Sequence, residues 1–167
     1  MKAYLDNNIV SSIVRDDNPS QSRALSVLLE AFDARKVELV TSAITLEEIK
    51  QCPSKHRAPL ERTFRLLEKI PVAPAQSLLY INSYGDGRSW INAPVIQNDP
   101  LFDLLLSIGL DVVDGRHVLA AAKEPCAVFL TCDNSPRTGM LRRAPEILKC
   151  CGLHVQRPSE FVADQGW

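Results

Sequence analysis

Four carboxylic acids stand where a parallel sheet would gather them. Asp6 ends the apolar run from Lys2 to Leu5, and Asp133 follows Val128-Phe129-Leu130-Thr131-Cys132 in the same way. Glu48 lies in Ile44-Thr45-Leu46-Glu47-Glu48-Ile49. There Thr45 and Glu48 have capping-box spacing and Ile44 can staple onto Ile49, so a helix is expected to start at Thr45. Asp114 comes three residues after Asp111, which has the position of a helix N-cap. Helix capping alone would account for Glu48 and Asp114; convergence in one cleft would account for all four acids. Like charges at ~4 Å repel by about 4 kcal/mol at an effective dielectric of ~20, so such a cluster needs a cation or shared protons. Oxygen-only ligands suit Mg²⁺ or Mn²⁺ better than zinc or copper, and sites of this kind usually orient phosphate substrates. His117, one turn beyond Asp114 on the same helix face, is expected to be a surface or hydrogen-bonding residue rather than a metal ligand.

The elements that must position these acids alternate along the chain. Lys2 to Leu5, Lys36 to Ser42, Ala127 to Thr131 and Leu153 to Gln156 read as short strands rich in Val, Leu, Tyr or Phe. Ser20 to Ala34, Leu60 to Ile70 and Asp111 to Glu124 carry apolar residues at helical spacing, and Pro125 stops the last of these. Alternation of this kind predicts an α/β fold, a three-layer α/β/α sandwich around a central, mostly parallel sheet. In open parallel sheets the working crevice lies beyond the carboxyl ends of the strands, which is where Asp6 and Asp133 fall. Gly85 to Pro100 is the one long break and reads as a surface loop, either a substrate flap or a plain connection. No repeat, low-complexity tract or second core interrupts residues 1–167, so a single domain is expected.

Composition excludes several classes. Of 167 residues, 46% are hydrophobic and 23% charged, ordinary globular usage that argues against a disordered, collagenous or coiled-coil chain. No stretch approaches the ~18 apolar residues of a spanning helix, and Asp6 interrupts the place where a signal peptide would begin, so a cytoplasmic protein without a membrane partner is expected. Five cysteines without a C-x-x-C pair fit neither a disulfide framework nor a zinc site. The net charge of −1 is uninformative, but the basic residues bunch. Arg57, Arg62 and Arg65 fall in one segment, and Arg137, Arg142 and Arg143 in another. These are either solvated helix faces or surfaces that contact the phosphates of a polyanionic partner.

Taken together, Tyr4-Leu5-Asp6-Asn7-Asn8-Ile9, Ile44-Thr45-Leu46-Glu47-Glu48-Ile49, the stretch from Asp114 to Ala122, and Leu130-Thr131-Cys132-Asp133 resemble, in order and spacing, the four motifs of PIN-domain nucleases. The resemblance covers nearly the whole chain and is to the toxin ribonucleases of type II (virulence-associated) toxin-antitoxin systems. It implies that Asp6, Glu48, Asp114 and Asp133 are the catalytic, metal-binding acids, oriented by Asn8 and Thr131. It implies an endoribonuclease with Mg²⁺ or Mn²⁺ as cofactor, RNA as substrate, a cognate antitoxin and a homodimer as partners. Asn7 and Asn134-Ser135-Pro136 depart from the pattern of the family. The alternative is a catalytically weak PIN-like module that binds RNA or docks a protein. A haloacid-dehalogenase-type phosphatase would want an acid where Asn8 stands, and no phosphate-binding G-x-x-x-x-G-K-[ST] or G-x-S-x-G stretch occurs.

Overall fold

Residues 1–9, 18–42, 44–45, 70–73, 79–85, 89–95, 99–136 and 139–167 are described by a computed structural model of the chain, with 72–73, 79–85 and 89–95 described by their backbone. Parallel strands buried on both faces read as continuous apolar runs, and the four strands read from the sequence are present. They are β1 (Lys2–Leu5), β2 (Glu38–Ser42), β6 (Val128–Leu130) and β7 (His154–Gln156). With β3 (Val72–Ala73) they form a five-stranded sheet in the order β3-β2-β1-β6-β7, every pair parallel. The chain lays strands outward from β1 on one side, then returns to lay β6 and β7 on the other. The strand order therefore reverses between β1 and β6.

Helices cover both faces. Alternation along β1 sends Ala3 and Leu5 to one face, with Leu39, Val128 and Leu130. There they pack on Leu25 and Leu28 of α1 (Pro19–Asp33) and on Phe161 of α5 (Pro158–Asp164). Tyr4, Val40 and Phe129 point to the other face. They meet α2 (Pro100–Ser107), α3 (Val112–Lys123) and α4 (Ala144–Cys151) through Phe102, Val118 and Ile147. Each fully buried Leu or Phe contributes about 1.5–3 kcal/mol. Tyr4 stacks on Phe129 with ring centroids 5.0 Å apart and donates to or accepts from His117 Nδ1 at 2.8 Å; His117 is buried, so of its two expected roles the structure shows the hydrogen-bonding one and not the surface one. Asp99 caps α2 through Leu101 N and pairs with Lys123 of α3 at 2.8 Å, tying the two helices together.

Two expectations are corrected. The stretch from Gly85 to Pro100 is not a loop throughout: β4 (Leu79–Gly85) and β5 (Ser89–Val95) form an antiparallel hairpin with Tyr84 opposite Trp90. Pro94 stands opposite Tyr80, a position open to proline because both strands of a two-stranded ladder are edges. The helix expected to start at Thr45 already includes Ile44, and Glu48, the partner in the expected capping box, lies outside the described residues. The predicted helix from Leu60 lies outside the described residues up to Ile70. Trp167 packs edge-on against Phe161 with ring centroids 5.9 Å apart. Among the described residues no helix is long and apolar enough to cross a membrane.

Candidate functional site

The polar residues gather at the carboxyl ends of β1 and β6, on the face covered by α3. Asp6 continues β1, its N–H donating to Leu130 O at 3.1 Å, and it is buried. Its Oδ2 accepts from Thr131 Oγ1 at 2.7 Å and from Asn8 Nδ2 at 3.1 Å, so both predicted orienting residues touch the acid they were expected to orient. Thr131 Oγ1 in turn accepts from Asp133 N at 3.0 Å. One buried hydroxyl thus links the acid after β1 to the backbone of the acid after β6, across the point where the strand order reverses.

Asp133 organises its own loop. Its Oδ1 accepts from Ser135 N at 3.1 Å and Ser135 Oγ at 2.7 Å, and its Oδ2 accepts from Met140 N at 3.1 Å. The 3-10 turn Met140–Arg143 is anchored in this way. Gly139 is needed there because a Cβ would stand 2.4 Å from Ser135 N.

Asp114 arrives from α3. Asp111 caps that helix as expected, its Oδ1 accepting from Val113 N and Asp114 N, both at 2.9 Å. Burial pushes the Asp114 carboxyl up to about 7, and the charges of Asp111, Asp6 and Asp133 push in the same direction, while His117 opposes them. Two of the other predicted acids, Asp6 and Asp133, are therefore near enough for their charges to act on Asp114. The fourth, Glu48, lies outside the described residues together with Glu47. Among the described residues, no three His, Cys, Asp or Glu side chains are grouped as the direct ligands of a metal ion would be.

A polar residue that the motifs did not single out as a ligand or orienting group, Ser42, is brought to this edge by the β1/β2 register. Ser42 ends β2, and it and Thr45 are buried with hydroxyls lacking a hydrogen-bond partner among the described residues; Asn7 Oδ1 is in the same condition. The signal for Ser42 was in the sequence, since alternation through Leu39 and Val40 puts it on the Asp6 side. Arg116 is also buried, and its Nε and Nη2 have no hydrogen-bond partner among the described residues.

Of the basic candidates, Arg142 is exposed, whereas Arg143 pairs with Glu146 at 3.7 Å and lies against Gly109. Arg57, Arg62, Arg65 and Arg137 lie outside the described residues. Cys126, Cys150 and Cys151 are free thiols, and burial pushes Cys126 up to about 11, which leaves it unreactive. Comparison of the chain with protein-family models, curated proteins and solved structures finds no match.

Proposed function

We propose that this chain is a PIN-like endoribonuclease that depends on Mg²⁺ or Mn²⁺, and that it acts as the toxin of a toxin-antitoxin pair. The observation that carries the reading is the buried Asp6 carboxylate at the β1/β6 reversal, held by Thr131 and Asn8. Open parallel sheets bind their ligands at such reversals. The donor set fits a hard divalent cation: the groups are oxygens, and burial first, then the charges of Asp111, Asp6 and Asp133, raise the pKa of Asp114. Three close protein ligands are not required, because Mg²⁺ keeps several waters and is commonly held through one or two carboxylates.

Asp6 and Asp114 would hold the ion with Glu48. Asp133 would contribute charge and keep the loop after β6 in place. Bound there, a divalent cation supplies a water of lowered pKa and shields the phosphodiester oxygens. This chain's part is to fix Asp6 through Thr131 and Asn8, and to present Asp114 at the start of α3. Arg142, with Arg57, Arg62, Arg65, Arg137 and Arg143, would hold the RNA backbone.

The test is cleavage of labelled single-stranded RNA. Activity with Mn²⁺ is expected to disappear with a chelator and in Asp6→Asn and Asp114→Asn. Cleavage that persists in both variants would overturn the assignment. Intact RNA affinity in all variants without any cleavage would favour the binding-module alternative. The partner class, an inhibitory antitoxin, is tested by co-expressing the neighbouring open reading frame and measuring relief of growth arrest.

A further inference from the structure

Ser42 occupies a particular place. The β1/β2 register pairs Ala3 with Leu39 and Tyr4 with Val40, and Thr41 Oγ1 donates to Leu5 O at 3.1 Å, which carries the register one step further. The next step sets Ser42 beside Asp6. Alternation gives both the face of Tyr4 and Val40, the face over which α3 carries Asp114. Ser42 is 3% exposed and Thr45, three residues on, is 0% exposed, yet neither hydroxyl has a hydrogen-bond partner among the described residues. Buried hydroxyls are rarely left so, and an unmatched one points to a bound water or ligand group.

We infer that the Ser42 hydroxyl at the end of β2 and the Thr45 hydroxyl in the helix that follows form one wall of the Asp6 cleft and hold the water shell of the divalent cation; the inference rests on the reading above. A hydroxyl can accept from one group and donate to another, which suits a water lying between Asp6 and the wall. Ions that retain their waters are positioned by such outer contacts as well as by direct ligands, and removal of an outer contact commonly weakens metal binding about 10–100-fold. Ser42 and Thr45 are therefore positioning residues.

The experiment measures Mn²⁺ alone, without nucleic acid, by titration calorimetry and by the paramagnetic signal of free Mn²⁺. It compares wild type, Ser42→Ala, Thr45→Val, Thr45→Ser and Asp6→Asn, each shown to be folded by circular dichroism. Ser42→Ala and Thr45→Val are expected to weaken Mn²⁺ binding about tenfold each, Thr45→Ser to retain it, and Asp6→Asn to abolish it. If Asp6→Asn abolishes binding while Ser42→Ala and Thr45→Val stay within threefold of wild type, the hydroxyls serve the fold or the RNA phosphate, and the inference falls while the metal reading stands. If wild type binds no Mn²⁺, or Asp6→Asn binds as wild type does, the metal reading itself falls. Should Thr45→Val fail to fold, Ser42→Ala decides the matter, since it only trims an oxygen at the end of a strand.

Discussion

The metal-free protein should lose stability as pH rises, and Asp114 should be the cause. Its carboxyl titrates at about 7 in the folded chain against the usual 3.8, so between those values the folded state holds a proton that the unfolded state has released. Stability then falls with rising pH through that window and levels off above it. The full displacement corresponds to about 4 kcal/mol at ~1.4 kcal/mol per pH unit, and solvent screening of a carboxyl that is only partly buried reduces the working figure to ~2 kcal/mol. The charges of His117, Asp6, Asp111 and Asp133 also act on this carboxyl. The informative quantity is therefore the difference between wild type and Asp114→Asn, measured by urea unfolding in chelator from pH 4.5 to 8. Wild type should lose ~2 kcal/mol relative to the variant across that range. Asp111→Asn, which keeps a capping side chain, should shrink the loss by removing the largest of the neighbouring charges. Saturating Mn²⁺ should abolish the loss, because the cation favours the ionised carboxylate. A difference that stays flat, or that grows in favour of wild type with pH, would refute the electrostatic account of this edge.

Four further outcomes are expected. Thr131→Val removes the hydroxyl that serves Asp6 and the Asp133 N–H together, and should cost ~2–4 kcal/mol in denaturant unfolding and remove RNA cleavage. Mg²⁺ at 100 times its dissociation constant should stabilise wild type by about 2.7 kcal/mol at pH 8, and Asp6→Asn by nothing measurable, as read from thermal melts at several metal concentrations. Gly139→Ala forces a Cβ against the Ser135 backbone and should lower stability by ~1–3 kcal/mol while slowing cleavage through the Asp133 loop. Arg116→Met exchanges a buried guanidinium for an apolar chain of similar length and should raise stability by ~1 kcal/mol or more; a loss of similar size would show that Arg116 has an anionic partner.

What could be read from the sequence follows from how a parallel sheet uses its residues. A strand buried on both sides is an apolar run, and the residue after it stands at the carboxyl edge, so Asp6 and Asp133 could be placed at that edge from a few residues each. Asp111 was legible as a cap because capping is local. The short helices α4 and α5 carry Pro145 and Pro158 in their first turns, a start signal that helical periodicity over so few residues does not reinforce. The hairpin was hidden by weight given to Gly85, Gly87 and Pro94, although Trp90, Ile91 and Val95 are strand formers. Cross-strand relations were least legible. That Thr131 would bind Asp6, 125 residues away, depends on β6 returning to the side of β1 away from β2, and no local pattern specifies which side a returning strand takes. The same holds for Ser42, whose alternation is plain in β2 but whose neighbour is set by the β1/β2 register. Each strand's own sequence determines which residue reaches the edge, whereas the crossovers determine which residues stand side by side there. Chemistry that needs two strands therefore becomes visible only once the strand order is known.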